Sequence, residues 1–459
     1  MSASRPLVPP TIEGQARAFG RLPVAFGPRF FVLLLVGLVW LAPAFAEPRF
    51  VYAMAGWDLL ALLAWAADAR SLPPPARLRV RRTWLAPASL SVEAHVSLTV
   101  VNGSDRIIRA RVLDHVPRQL RSDPPEVQLN IGPRAAADAQ YHLRPTERGG
   151  AVLGDAYVRY QTPMRIAERW ARVDLAQTVV TYPNLEDAKR ESMLFIQSRQ
   201  AELQKRSTRH RGAGRTFESL RDYQQGDEFR DICWTASARR GRLVTRLYEI
   251  EKSQTLWIVL DAGRLMRTRV GGLSKLDCAV NAALALSQVA LYSGDRVGLL
   301  AYGRRIAQRL PAARGSQHLR QIVEQLAAIR EGEWESDHFQ AAARLLTDQT
   351  RRCLVVWVTD VAETAMRPEV IEASAQLAAR HLVLVVVIGQ ADLQTLAASN
   401  PTSARQMYQT AAAQEVLHRR ELLLARLREQ GALALEATSG RLTPSLVNAY
   451  LEIKQRSQL

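Results

Sequence analysis

The sequence predicts a multi-domain chain: an N-terminal transmembrane helical hairpin, a β-sandwich-like module, then an α/β doubly wound domain. Three observations point there. Two apolar runs, FFVLLLVGLVWLAPAFA (30–46) and FVYAMAGWDLLALLAWAA (50–67), are each close to the length a spanning helix needs. Between 78 and 182 the chain breaks into short alternating runs cut by Gly, Pro, Asn and Asp, the mark of antiparallel strands. Beyond Thr255, continuous apolar runs such as TLWIVLD (255–261), CLVVWVTD (353–360) and HLVLVVVIG (381–389) alternate with helical stretches. Such runs are parallel strands covered on both faces. A chain of 459 residues exceeds one ordinary core, and an apolar content of 47% excludes disorder of the whole.

Taken in order, residues 1–28 read as a cytoplasmic N-terminal tail and 29–67 as the transmembrane hairpin. Arg5, Arg17, Arg21 and Arg29 precede the first apolar run, and Arg70, Arg77, Arg79, Arg81 and Arg82 follow the second. The positive-inside rule then puts both flanks in the cytoplasm, with two passes and a cytoplasmic body. APAFA before Glu47 also resembles a signal-cleavage site, but the long leader and the second apolar run favour an uncleaved hairpin. Asp58, inside the second run, is expected near the interface. SLPPPAR (71–77) links to the module at 78–182, which shows no cluster of His, Cys or carboxylates and reads as a spacer or adhesion module.

Residues 183–253 form a helical linker and a motif-rich segment. The formal charge of +17 is spread along the chain, and the basic run KRSTRHRGAGR lacks interleaved aromatics, so no specific nucleic acid is expected. Cys233, Cys278 and Cys353 show no metal-ligand spacing and no disulfide framework; Cys278 and Cys353 read as buried structural thiols. The densest stretch is SLRDYQQGDEFRDICWTASARRG (219–241). It has no His and no nucleophile–base pair, and its carboxylates would repel phosphate. Arg–carboxylate forks around a Gly226–Asp227 turn, with Phe229 and Trp234 buried, suit a scaffold or a docking surface, and both remain open.

Residues 254–459 make the α/β domain, whose strands carry Asp261 and Asp360 at their carboxyl ends, where ligands of such sheets bind. A helix over about 402–431 exceeds what the fold requires and suits either a partner or packing along the sheet.

Together with GRTFESLRDYQQGDEFRDICWTASARRGRLVTRLYEIE leading into LWIVLDAGRLM, this organisation resembles a bacterial family of unknown function. Its members carry a von Willebrand factor A-like domain and are found alongside MoxR-type AAA+ ATPases. The family pattern G-x-x-F-x-x-L-R-x-Y-x-x-G-D-x-x-R-x-I-x-W-x-x-S-A-R is met by Gly214, Phe217, Leu220, Arg221, Tyr223, Gly226, Asp227, Arg230, Ile232, Trp234, Ser237, Ala238 and Arg239. The resemblance implies a non-enzymatic interaction protein of the bacterial inner membrane. Its partners would be a MoxR-type ATPase, other envelope proteins and the lipid bilayer, and it would need no cofactor. Arg221, Tyr223, Gly226, Asp227, Arg230, Trp234, Ser237 and Arg239 would be its docking residues. A-type domains hold Mg²⁺ with a D-x-S-x-S loop, a Thr and a later Asp, hard oxygen ligands for a hard ion. Here Asp261 and Asp360 match, Gly263 and Leu265 replace both serines, Ser336 or Asp337 stands for the Thr, and Arg264 adds a cation. The expectation is a degenerate site without metal. The rival readings are a metal-dependent hydrolase centred on Asp261 and Asp360, with His338 the one His near the strand ends, and a membrane-tethered nucleic-acid binder.

Overall fold

The computed structural model describes residues 7–20, 24–190, 193, 216–224, 229–249, 254–361 and 369–456. They fall into two units: residues 1–185 with 326–330, and residues 186–325 with 331–459.

In the first unit the segment expected as a tail is part of the sheet. Strand β1 (Ile12–Ala18) pairs through its first half with β3 (Leu78–Trp84) and through its second half with β10 (Ala167–Val173), while β2 (Val24–Phe26) also joins β10. IEGQARA buries only Ala16, and Gly14 makes the passage possible: a Cβ there would sit 2.5 Å from the Asp174 carbonyl oxygen. Between β2 and β3 come the apolar helices, α1 (Pro28–Gly37), α2 (Leu41–Ala44) after a 3₁₀ turn, and α3 (Phe50–Ser71). Among the described residues α3 is the helix long and apolar enough to cross a membrane; the helical run Pro28–Ala44 is shorter. The two pack together. Trp57 Nε1 donates to the Leu33 carbonyl at 2.8 Å, and a Cβ on Gly37 would meet Trp57 Cδ1 at 2.7 Å and Asp58 Oδ1 at 3.0 Å. Asp58 therefore faces α1.

The remaining strands are β4 (Ala94–Asn102), β5 (Ile108–Asp114), β6 (Glu126–Ile131), β7 (Ala136–Leu143), β8 (Gly149–Leu153), β9 (Ala156–Gln161) and β11 (Gln177–Thr181). The main path runs β6-β5-β9-β10-β1-β3-β4-β7, with β8 and β11 paired apart. Strict alternation, as in β5, turns Ile108, Ala110 and Val112 inward. Inside this core Arg82 donates through Nε to Asp114 Oδ2 at 2.9 Å and through Nη1 to the Leu175 carbonyl at 2.7 Å, and the Tyr141 hydroxyl donates to Asp114 at 2.6 Å. Burial, reinforced by Asp114, pushes the Tyr141 phenol far above its ordinary value.

In the second unit β12 (Thr216–Asp222) pairs antiparallel with β13 (Val244–Glu249), and α4 (Trp234–Arg240) lies between them in sequence, ended by Gly241 at φ 64°. The larger sheet is built from β14 (Thr255–Asp261), β17 (Arg296–Tyr302), β18 (Ile306–Ala313), β19 (Leu354–Thr359), β20 (Leu382–Gly389) and β21 (Leu433–Thr438). The order is β18-β17-β14-β19-β20-β21, parallel throughout except β18, an edge strand that the sequence did not announce. A two-residue pair, β15 (Arg269–Val270) and β16 (Leu273–Ser274), follows β14. Helices α5 (Lys275–Tyr292), α6 (Ser316–Ala328), α7 (His338–Asp348), α8 (Glu369–Ala378), α9 (Ala391–Ala397), α10 (Ala404–Glu429) and α11 (Leu442–Gln455) complete the unit.

Trp257, Val259, Val355, Trp357, Val383 and Val385 face one side of this sheet, against α7, α8 and α10. Their neighbours in the strands face the other side, where α5 packs on β14, β17 and α11. This is a doubly wound layer arrangement. The long helix α10 lies along the sheet through Leu423, Leu424 and Leu427.

Candidate functional site at the strand ends

The carboxyl ends of β14 and β19 carry the two acidic residues singled out by the sequence, and the fold separates them. Leu260 pairs with Val358, so Asp261 lies beside Thr359. Thr359 Oγ1 donates to Asp261 Oδ2 at 2.6 Å, the Gly263 amide donates to Oδ1 at 2.8 Å, and Ser336 Oγ donates to Oδ1 as well. Asp360, one residue on, turns to the opposite face and meets α5. There Lys275 Nζ donates to Asp360 Oδ2 at 2.6 Å, with Lys275 1% and Asp360 7% exposed. Lys275 opens α5 directly after the capping residue Ser274, which accepts from the Asp277 amide at 3.0 Å. Burial raises the Asp360 carboxyl above its ordinary value, opposed chiefly by the Lys275 ammonium and, further off, by Arg420. Among the described residues Asp360 Oδ1 has no hydrogen-bond partner.

A divalent cation does not fit these residues. Asp261 already accepts three hydrogen bonds through its two oxygens, and Asp360 holds an ammonium instead of facing Asp261. The position a serine side chain would need at Gly263 is filled, since a Cβ there would lie 2.1 Å from Ser336 Oγ. Leu265 is part-buried in the 3₁₀ turn Arg264–Arg267, held down by the buried Met266. Of the two residues proposed to stand for the Thr, Ser336 reaches Asp261, whereas Asp337 caps α7 by accepting from the Gln340 amide at 2.8 Å. Arg264 is not the local cation; its guanidinium pairs with the exposed Glu335 at 3.0 Å. That role belongs to Lys275.

Beside Asp261 lies a polar chain unforeseen in the sequence. Trp357 Nε1 donates to the Tyr302 hydroxyl at 2.7 Å, and that hydroxyl lies 2.8 Å from His338 Nδ1. The hydroxyl keeps a second lone pair and its own proton, so the imidazole tautomer sets the direction of that bond. Burial holds His338 below its ordinary value against the pull of Asp261, and it holds Tyr302 well above its own. The hydroxyl hydrogen-bonded to His338 is that of Tyr302, which is itself fully buried. This polar chain ties β17, α7 and β19 together beside Asp261.

The motif-rich segment departs from expectation at its aromatics. Phe229 is 74% exposed and Trp234 65%, where both were expected buried. Trp234 opens α4, and that helix is pinned instead by Ser237, whose hydroxyl donates to the Cys233 carbonyl and accepts from the Val244 amide, both at 2.9 Å. The rings of Tyr223 and Phe229 lie 6.1 Å apart. Asp222 forms an ion pair with Arg242, Arg221 Nη1 donates to the Asp222 carbonyl, and Arg239 is exposed in the last turn of α4. Gly226 and Asp227 lie outside the described residues, and so does the side chain of Arg230. The three cysteines are buried and in no disulfide; burial pushes the Cys278 thiol up to about 11 and Cys353 up to about 12.

Residues 219–415 match the family model described as protein of unknown function DUF58. The match begins in the motif-rich segment and runs through the strand-end site into α10. Among similar proteins, uncharacterized protein Mb1516 of Mycobacterium bovis is 27% identical over 181 residues, which are 39% of this chain and 56% of that protein. Uncharacterized protein YeaD of Bacillus subtilis is 25% identical over 188 residues, 41% of this chain and 44% of that one. The chain thus spans about half the length of the curated relatives it matches. A crystal structure of conserved hypothetical protein BatB from Bacteroides thetaiotaomicron covers 44% of this chain and 100% of its own, at 12% identity and a TM-score of 0.29.

Proposed function

We propose that the chain is a membrane-anchored, non-enzymatic docking protein. On this reading its doubly wound unit is a von Willebrand factor A-like domain, and it works with a MoxR-type AAA+ ATPase in assembling or maturing an envelope complex. The observation that carries the docking role is the exposure of Trp234 and Phe229 in a segment whose own fold is pinned by Ser237. Two large rings left in water gain by covering them with a partner, and aromatics of this kind dominate interface energetics. This favours docking over scaffold. The parallel sheet with one antiparallel edge strand supports the A-like assignment, and the hydrogen-bonded, lysine-paired carboxylates argue against hydrolysis at Asp261 and Asp360. The ATPase itself rests on the family resemblance.

The membrane anchor rests on α3 and on β1. Because β1 and β3 are paired, the chain before the apolar helices and the chain after them share one sheet and hence one side of a bilayer. That supports an even number of crossings. The run Pro28–Ala44 rises about 25 Å and α3 about 33 Å, against a hydrocarbon core of about 30 Å. With arginines on both flanks, that shared side is the cytoplasm.

The test is purification of the full chain from its native membrane in mild detergent. The wild type is expected to bring the ATPase with it. Trp234→Ala should lose it, by roughly 30-fold or more in affinity for a hot-spot aromatic, at an unchanged melting temperature. Retention of the ATPase by the variant, or its absence from the wild-type eluate, refutes the assignment. A variant that melts several degrees lower returns Trp234 to the scaffold reading.

A further inference from the structure

A cavity of about 340 Å³ opens on the outer face of the sheet beside the start of α1, and its lining is basic. Arg109 on β5 stands between Asn130 on β6 and Gln161 on β9, the three forming one cross-strand row. Arg159 in the next row is neutralised by Glu168, its Nε donating to Oε2 at 2.7 Å, and Arg111 by Glu126 at 2.9 Å. Two guanidiniums are left over. Among the described residues the Arg109 guanidinium has no hydrogen bond or ion pair, and the buried Arg165 Nε has no acceptor. A buried donor without a partner is costly, and a cavity beside it says where the acceptor comes from.

The backbone bears this out. Arg165 sits at φ 57°, a left-handed conformation that Gly or Asn adopts more cheaply, so the long cationic side chain is retained against a conformational cost. Its turn is tied to the roots of the apolar helices. The Gly27 amide donates to the Ile166 carbonyl at 2.7 Å and the Arg29 amide to the Arg165 carbonyl at 3.3 Å. From the end of α3, the Asp68 carboxylate accepts from the Thr162 hydroxyl at 2.6 Å and from the Ala167 amide at 2.8 Å. Met164, next to Arg165, is 62% exposed. An apolar tip beside two unpaired guanidiniums, at the foot of helices entering a bilayer, matches the acyl-to-phosphate boundary of a lipid leaflet.

We propose that this cavity binds the phosphate headgroup of an anionic phospholipid, with Arg165 and Arg109 as the two cationic contacts and Asn130 as a neutral donor, the Gln161 amide already donating to Glu168 at 2.8 Å. The proposal rests on the membrane reading above. A volume of this size suits a glycerophosphate head, and guanidinium forks suit its oxygens.

The experiment uses the full chain, delipidated in a neutral detergent, then placed in phosphatidylcholine nanodiscs with or without phosphatidylglycerol. Bound lipid is counted by native mass spectrometry and stability by melting. Phosphatidylglycerol is expected to be retained and to raise the melting temperature. Arg109→Gln and Arg165→Gln should each weaken retention roughly tenfold, and Arg109→Lys less. Because Arg109 is exposed, Arg109→Gln keeps the test decisive if the Arg165 variant misfolds. Equal retention of both lipids, or no effect of Arg109→Gln, overturns the proposal. Inorganic phosphate that displaces the lipid at equal concentration assigns the cavity to a soluble phosphate and overturns the lipid as its occupant. Failure of the membrane reading shows separately, as a chain that stays monodisperse in buffer without detergent.

Discussion

Removing the Lys275 ammonium tests the strand-end reading most directly. Lys275→Met keeps an unbranched apolar side chain out to Cε and removes the ammonium with its charge and its donors. At 2.6 Å the pair attracts by about 6 kcal/mol at an effective dielectric of about 20, most of which offsets the desolvation of two buried ions. What counts in the variant is the orphan. Asp360 would keep a buried carboxylate that has lost its ammonium, so the cost is about 3–5 kcal/mol near neutral pH. The sign with pH follows from the direction of the Asp360 shift. A carboxyl raised in the fold holds its proton more tightly than in the unfolded chain. Its contribution is fully present below the unfolded value of about 3.9 and is lost as pH rises through the folded value. Without Lys275 that folded value moves higher, so the deficit should be largest near pH 8 and shrink toward pH 5. Lys275→Met combined with Asp360→Asn should cost clearly less than the two single changes added together, since the second change removes the orphaned charge. Urea titration of the detergent-solubilised full chain, read by hydrogen exchange at the β14 and β19 amides, reports this unit separately from the other. A deficit under about 1 kcal/mol, a deficit independent of pH, or strict additivity would refute a coupled buried pair.

Other outcomes follow from the same geometry. Millimolar Mg²⁺ or Mn²⁺ should leave the melting temperature of the wild type unchanged, whereas an ion at a hundredfold excess over its Kd would add about 2.7 kcal/mol. Gly263→Ser should lower stability by about 1–3 kcal/mol and create no ion dependence, because its Cβ meets Ser336 Oγ; an Mg²⁺-dependent rise in melting temperature in that variant would contradict this. Reporter fusions before Ile12 and after Arg82 should both read cytoplasmic, and a split result would break the β1–β3 pairing as well as the two-pass topology.

How much of the fold the sequence revealed depended on whether an element carries its own pattern. TLWIVLD and HLVLVVVIG are buried on both faces and read as strands unaided, and the structure starts β14 at Thr255 and β20 at Leu382. β1 has no such pattern. IEGQARA buries a single alanine and is held by pairing with β3 and β10, the latter about 155 residues along, so only the assembled sheet makes it a strand. β18 failed for a related reason. It is a half-exposed edge strand containing Pro311, and its antiparallel pairing with β17 supplies what its composition does not.

The site was legible as positions and illegible as chemistry. Asp261 and Asp360 sit at strand ends as expected, but a reading that pairs them as ligands assumes one face. Side chains alternate along a strand, and the register that sets Asp261 beside Thr359 sends Asp360 to the other side of the sheet. A lone lysine at the first position of a helix looks solvated in any local window. Only the packing of α5 under β19 shows that Lys275 stops at Asp360, 85 residues away. Trp234 erred in the opposite direction. Large rings default to burial, yet the α4 segment closes through Ser237 and the Val244 amide, bonds that make no use of the indole. The fold neither buries Trp234 nor uses its ring, and on that observation the proposed docking role rests.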